Sequence, residues 1–236
     1  MTEASTAAAP GPADLAEIYY APSDVFERRR EGGFWMPLFV LLIAMTVIYY
    51  ATRGVMQPLF DAEWARGAAA AAEKNPEITP EQMEASKGMV QNFAIVGVIV
   101  SMLIGPLLTG CVLWVVCKFA GVKETLTAAI TVAVFSFYPM LVEALVNAVQ
   151  AAFVVPEESI RSRFSLSLGP ARFFDDASIT TQALIGHIDV FTIWTAILIG
   201  IGVKVTGRAT TGQAVTVAVV MWLIGFLPAL LGAASG

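Results

Sequence analysis

Leu126 to Val155, LTAAITVAVFSFYPMLVEALVNAVQAAFVV, is a long apolar run with Tyr138-Pro139 near its middle and Glu143 just beyond. At ~1.5 Å per residue, a helix of this length exceeds the ~30 Å hydrocarbon core of a bilayer. It reads as a membrane span. Comparable stretches at about 34–52, 92–117, 184–205 and 209–231 make it the third of five. The expected fold is therefore all-α, an integral membrane bundle of five transmembrane helices with an interfacial N-terminal helix.

Composition supports a lipid solvent. Hydrophobic residues make up 57% of the chain and charged residues 14%, and the mean hydropathy is +0.71. A water-soluble domain would not carry that surface. With 19 acidic against 14 basic side chains, no patch suits nucleic acid. Cys111 and Cys117 lie too far round one helix to bridge and have no companions for a metal, and His187 is the chain's one histidine. No metal, cofactor or catalytic residue is expected. Residues 1–30 are polar and Ala/Pro-rich, and the apolar run after them is as long as a full span, so the first span is expected to stay uncleaved.

In chain order, residues 1–13 are small, polar and proline-containing, a flexible tail. Residues 14–33 place Leu15, Ile18, Tyr19, Val25 and Phe26 at helical spacing around Ala21-Pro22, with charges between them. This suits an amphipathic segment with its rings toward lipid, or equally one packed on the protein's own cytoplasmic face. The membrane domain, 34–236, follows. Trp35 and Tyr49-Tyr50 flank the first span at interface positions. Gly54 to Gln91 reads as a long polar loop with an Ala-rich run, in which Thr79-Pro80-Glu81-Gln82 starts a helix leading unbroken into the second span. There Gly97, Ser101, Gly105 and Thr109 repeat every four residues, a face for close helix approach. Pro156 to Gln182 is too polar to span and is expected on the bilayer surface.

Basic residues close to span ends set the orientation. Arg28 to Arg30, Lys118, Lys123, Lys204 and Arg208 crowd the N-terminal flank and the short turns, which places the N-terminus inside and the C-terminus outside. Around two of those turns the sequence echoes itself. Lys118 to Gly121 and Ala129 to Val134 recur as Lys204 to Gly207 and Ala214 to Val219, so spans two-three and four-five read either as related hairpins or as chance likeness among Ala/Val-rich helices.

Glu143 lies near mid-span, where a bare carboxylate costs at least ~2 kcal/mol. Ser136, Asn147 and Gln150 share its helical face, and Pro139 frees a backbone carbonyl beside Tyr138. Glu143, Asn147, Gln150, Ser136 and Tyr138 form the candidate intramembrane polar site. Two readings stand: a proton or substrate site between helices, or a neutral Glu hydrogen-bonded to a neighbouring helix. Asp189 is placed to cap the start of the fourth span.

Pro22-x-x-x-Phe26 before the first span, Ser136-x-x-Pro139 in the third, and Asp189-x-Phe191-x-x-Trp194 leading through Gly200 and Gly202 to a basic turn resemble the Yip family of five-span membrane proteins, in its prokaryotic branch. The resemblance covers roughly residues 15–230. In eukaryotes such proteins bind Rab-type GTPases and act in vesicle traffic and membrane shaping. Their acidic Asp-Leu-aromatic-Gly-Pro motif is absent here, so a GTPase partner is not carried over.

The expected function is that of a non-enzymatic multi-pass protein of the Yip type, acting as a membrane scaffold or in membrane organisation and trafficking. The alternative is a transporter or channel for an ion or small solute, using the polar face around Glu143. The expected partners are the lipid bilayer, other proteins and further copies of this chain, and the expected location is the bacterial inner membrane. Single cysteines placed at Gln82 and Gly236, with Cys111 and Cys117 replaced by Ser, should react with an impermeant external reagent, and one at Ser23 should not. The reverse pattern would refute the orientation.

Overall fold

The computed structural model describes residues 11–75, 77, 79–174, 177–227 and 230. The expectations for the tail up to residue 10, for Asp175 and Asp176, for a bend at Pro228 and for the final Gly232 to Gly236 fall outside them. Every regular element among the described residues is helical: α1 (Asp14–Glu17), α2 (Pro22–Arg28), α3 (Trp35–Thr52), α4 (Gln57–Lys74), α5 (Pro80–Phe119), α6 (Leu126–Ser136), α7 (Pro139–Phe153), α8 (Ile179–Gly186), α9 (Val190–Thr206) and α10 (Thr211–Ile224).

Three segments are long and apolar enough to cross a bilayer: Trp35–Thr52, Glu81–Phe119 and Leu126–Phe153. Thr180–Gly186 with Val190–Thr206, bent by 50°, makes a fourth if counted as one broken span, and Thr211–Ile224 is a shorter apolar helix. The sequence predicts single helices for spans three and four. The structure breaks both. Pro139 has no N–H and its ring excludes a continuing helix, so α6 stops, Phe137 and Tyr138 form a tight turn back to Val134 O and Phe135 O at 3.2 Å each, and α7 starts at the proline. The 40-residue α5 begins as expected, with Thr79 Oγ1 accepting from Gln82 N at 3.3 Å and Gln82 Oε1 accepting from Thr79 N at 3.1 Å.

The polar stretch after the first span differs from the loop expected there. Pro58 opens α4, the alanine run carries it, and Asn75 ends it. High alanine propensity outweighs the absence of an apolar stripe.

Packing gathers the chain into two compact units, one of residues up to Leu42, Met102–Met140 and Phe191–Leu227, the other of Ile43–Ser101 and Leu141–Val190. In the first unit α6 is the core, with Ala129, Val132, Ala133, Val134 and Phe135 fully buried. The predicted ladder on α5 is in contact in part: a Cβ at Gly105 would lie 3.4 Å from the Phe137 ring while Gly97 faces open space, and a tighter approach falls one residue past Thr109, where a Cβ at Gly110 would lie 2.6 Å from Ile130 Cα. The N-terminal helices also pack here. Ile18, Val25 and Phe26 have no exposed surface, so these side chains pack on the protein's own body, while the Tyr20 ring of the same segment is exposed. Gly32, at φ +106°, passes so close to Thr127 that a Cβ would stand 2.4 Å from its Cγ2.

The two echoed turns share one local plan. Each leaves its helix through a positive-φ residue, Gly121 (φ +70°) or Arg208 (φ +49°), and re-enters at a capping threonine, Thr125 or Thr210. The turns also touch, with Gln213 Nε2 donating to Ala120 O at 3.0 Å.

In the second unit, the segment between α7 and α8, expected on the bilayer surface, is packed in part into the protein. Leu166 and Ala171 are fully buried, and a Cβ at Gly186 would meet the Phe164 ring at 2.2 Å. Phe173 remains exposed. Gly110→Ala should lower stability in detergent by ~1–3 kcal/mol, read as a fall in Tm, because the crowded site cannot take a methyl. Gly97→Ala should not lower it, since the site is open and alanine favours the helix.

Candidate functional site

The motif residues of the first unit converge on the break in the third span. Pro22 sits in the first turn of α2, pre-setting its backbone, and this sends Phe26 edge-on to Phe135, ring centroids 6.1 Å apart. Phe135 stacks on Tyr138 at 5.5 Å, and Tyr19 lies edge-on to both Tyr138 (6.4 Å) and Trp194 of α9 (5.8 Å). Two hydroxyls complete the knot: Tyr19 donates to Tyr138 O at 3.0 Å, and Tyr138 donates to Pro37 O in the first turn of α3 at 2.9 Å. Burial pushes the Tyr19 phenol up to about 12, which keeps it a donor. Pro139 and Phe191 frame the knot, the first by opening α7 and the second as a buried residue in the first turn of α9.

Beside it lies a buried ion cluster that the sequence alone does not reveal. Arg29, 4% exposed, donates from Nε to Asp14 Oδ2 at 2.6 Å and from Nη1 to Gly33 O at 2.8 Å, with its guanidinium carbon 5.4 Å from the centre of the Phe135 ring. Arg28 binds Asp14 and Glu17. These arginines, counted above as orienting charges, are also structural ones.

The predicted polar face separates into parts with different partners. Ser136 Oγ is buried and donates back to Val132 O at 2.8 Å, and Tyr138 is spent in the knot. In the second unit Gln150 Nε2 donates to Leu166 O at 2.7 Å and contacts Asn147 Oδ1 at 3.5 Å, tying α7 to the segment after it. That segment also reaches the α8–α9 break, where Ser167 Oγ donates to Asp189 Oδ2 at 2.7 Å just ahead of α9. Asp189 stands within electrostatic range of Glu143, so a second acid does lie near the mid-span carboxylate. The sequence put these residues in different spans, and helix packing brings them within range. Asn147 lines a groove on the same unit. Among the described residues no three His, Cys, Asp or Glu side chains gather as metal ligands. Cys111 and Cys117 are both free, the first exposed and the second buried.

A family model described as the Yip1 domain matches residues 16–232. The chain belongs to the Yip1-domain family. No curated protein and no solved structure matches it. The Yip1-domain match runs from within α1 through α10 and so takes in the aromatic knot and both echoed turns, with Arg28 and Arg29 of the ion cluster but not Asp14.

Glu124 is the residue that sequence reasoning missed. It stands in the turn between α5 and α6, which reads as solvated and basic, yet it is 3% exposed: Oε2 accepts from Thr206 Oγ1 at 2.8 Å and Oε1 is buried with no partner. Thr206 lies at the other echoed turn, far away in sequence. Burial raises the Glu124 pKa from 4.5 to about 7 against the lowering effect of the hydrogen bonds from Thr206 and Thr125. The folded state therefore holds the proton more tightly than the unfolded one, and stability falls as pH rises from about 4.5 through about 7. Wild type should lose on the order of 3 kcal/mol across this window, read as a lower Tm in detergent at pH 8 than at pH 5. Glu124→Gln should remove that component; an unchanged pH slope would refute the assignment.

Proposed function

We propose that this Yip1-domain chain is a non-enzymatic scaffold that organises the bilayer or takes part in membrane trafficking. In this reading it crosses the bacterial inner membrane five times, with the N-terminus in the cytoplasm and the C-terminus outside. Its partners are the bilayer, other proteins and further copies of itself. The observation that carries the reading is how the mid-span polar groups are used: Ser136, Tyr138 and Gln150 each donate to a backbone carbonyl of the protein. Tyr138 and Gln150 thereby tie separate segments together and Ser136 closes onto its own helix, so none of the three stands as an open ligand.

A second feature supports it. At ~1.5 Å per residue α5 is roughly 60 Å long, twice the hydrocarbon core, so several turns stand outside it. Those turns are braced on α4 by Lys87 with Asp61 at 3.1 Å and Gln91 with Gln57 at 2.7 Å, a stiff post suited to docking.

The transporter or channel reading draws on the nearness of Asp189 to Glu143. Two acids within electrostatic range of each other are a means of carrying a proton or cation. Reconstitution in liposomes separates the two. The scaffold reading expects proton and potassium leak equal to protein-free vesicles, and Glu143→Gln protein that copurifies with the same partners as wild type. A protein-dependent flux that Glu143→Gln lowers tenfold or more would replace scaffold with transporter.

A further inference from the structure

In the second unit the C-terminal half of α3, together with α4, α5 and α7, lines a groove of about 710 Å³. That volume is in the range of small-ligand sites, roughly 300–1,000 Å³. Three walls change character along their length. On α3, Met45 and Ile48 give way to Arg53; on α5, Val98 and Ile95 give way to Asn92; on α7, Ala144 gives way to Asn147. The aromatic pair Tyr49-Tyr50 sits at the change on α3, where rings favour the water interface of a bilayer. One end of the groove is thus hydrocarbon-like and the other polar.

The polar end is not electrically neutral. Two ionisable lining residues matter, Arg53 and Glu63. Glu63 is already engaged, with Arg66 at 3.5 Å and with the Arg163 N–H, which donates to it at 2.6 Å. Arg53 lies over the Tyr50 ring, 5.9 Å from its centre, and has no carboxylate partner among the described residues. An unpaired guanidinium above an apolar slot complements an anion carrying a hydrocarbon chain.

We propose that this groove binds one anionic phospholipid of the surrounding bilayer, its headgroup on Arg53 and Asn92 and an acyl chain along Met45, Ile48, Ile95 and Val98. Gln57 and Asn147 add hydrogen-bonding capacity at the headgroup level. The site rests on α3 and α5 lying in the membrane. It does not depend on whether the protein is a scaffold or a transporter.

The test uses the full chain in nanodiscs of equimolar phosphatidylglycerol and phosphatidylcholine, with retained lipid counted by native mass spectrometry. Wild type should retain phosphatidylglycerol over phosphatidylcholine by about fivefold, the ratio that one basic residue near an anionic surface supplies. Arg53→Gln should bring the ratio close to one, Arg53→Lys should keep most of it, and millimolar inorganic phosphate should displace nothing. Ile95→Trp, which fills the apolar end, should release both lipids. Equal retention by wild type, an unchanged preference in Arg53→Gln, displacement by free phosphate, or full lipid retention in folded Ile95→Trp would each overturn the proposal. Because Arg53 is exposed and its substitution removes no core packing, a folding defect is not expected to mask the outcome.

Discussion

A helix that loses its ladder away from water must find other partners for its backbone, and Pro139 imposes that condition on the central span. The chain meets it with tyrosines. Tyr19 supplies a hydroxyl to Tyr138 O at the break, and Tyr138 passes its own to Pro37 O, so one interruption is bonded to both the N-terminal helices and α3. In the most apolar 18-residue stretch of the central span half of the residues are buried, against about a fifth in the corresponding stretch of each of the first two spans. The N-terminal helices reach α6, where the Phe26 ring meets Phe135, and Ile18, Val25 and Phe26 lose all exposure.

That arrangement explains the buried charges beside it. A helix pair laid over an apolar core needs its basic flank compensated, because an unpaired buried guanidinium is expensive. Asp14 holds both Arg28 and Arg29, and the Phe135 ring takes the open face of Arg29. The cluster fixes the geometry of the N-terminal helices more than it adds net stability, since desolvation offsets much of the attraction in such pairs. Glu124 is the counterpart at the echoed turns, a carboxyl held by Thr206 where a charge would be costly.

The membrane-level polar residues divide by use. Tyr138 and Gln150, bonded to carbonyls of other segments, tie the chain together, whereas Ser136 bonds back within α6. Along the groove Glu63 and Gln57 are engaged by neighbouring side chains, while Arg53 has no carboxylate partner among the described residues. The aromatic knot, which gathers Phe26, Tyr138 and Trp194 beside the paired Asp14 and Arg29, gives the short Yip1-domain motifs a physical meaning: they are the contacts that close the N-terminus onto the break in the central span.

The sequence by itself determined the solvent and the class. Long apolar runs, Tyr49-Tyr50 at a span end, the Thr79 to Gln82 helix start and the motif positions Pro22, Phe26, Pro139 and Trp194 were all legible, because hydropathy, capping and proline geometry act over a few residues. It did not show α4 as a helix, since an alanine run without an apolar stripe carries no periodic signal. Tertiary structure alone decided which groups meet: Glu124 with Thr206, Asp189 near Glu143, Gln150 with the carbonyl of Leu166, and Gly110 with Ile130, a tighter approach than that of Gly105 on the predicted ladder. Each of those depends on partners brought from distant segments by helix packing, and local spacing along one helix does not encode them.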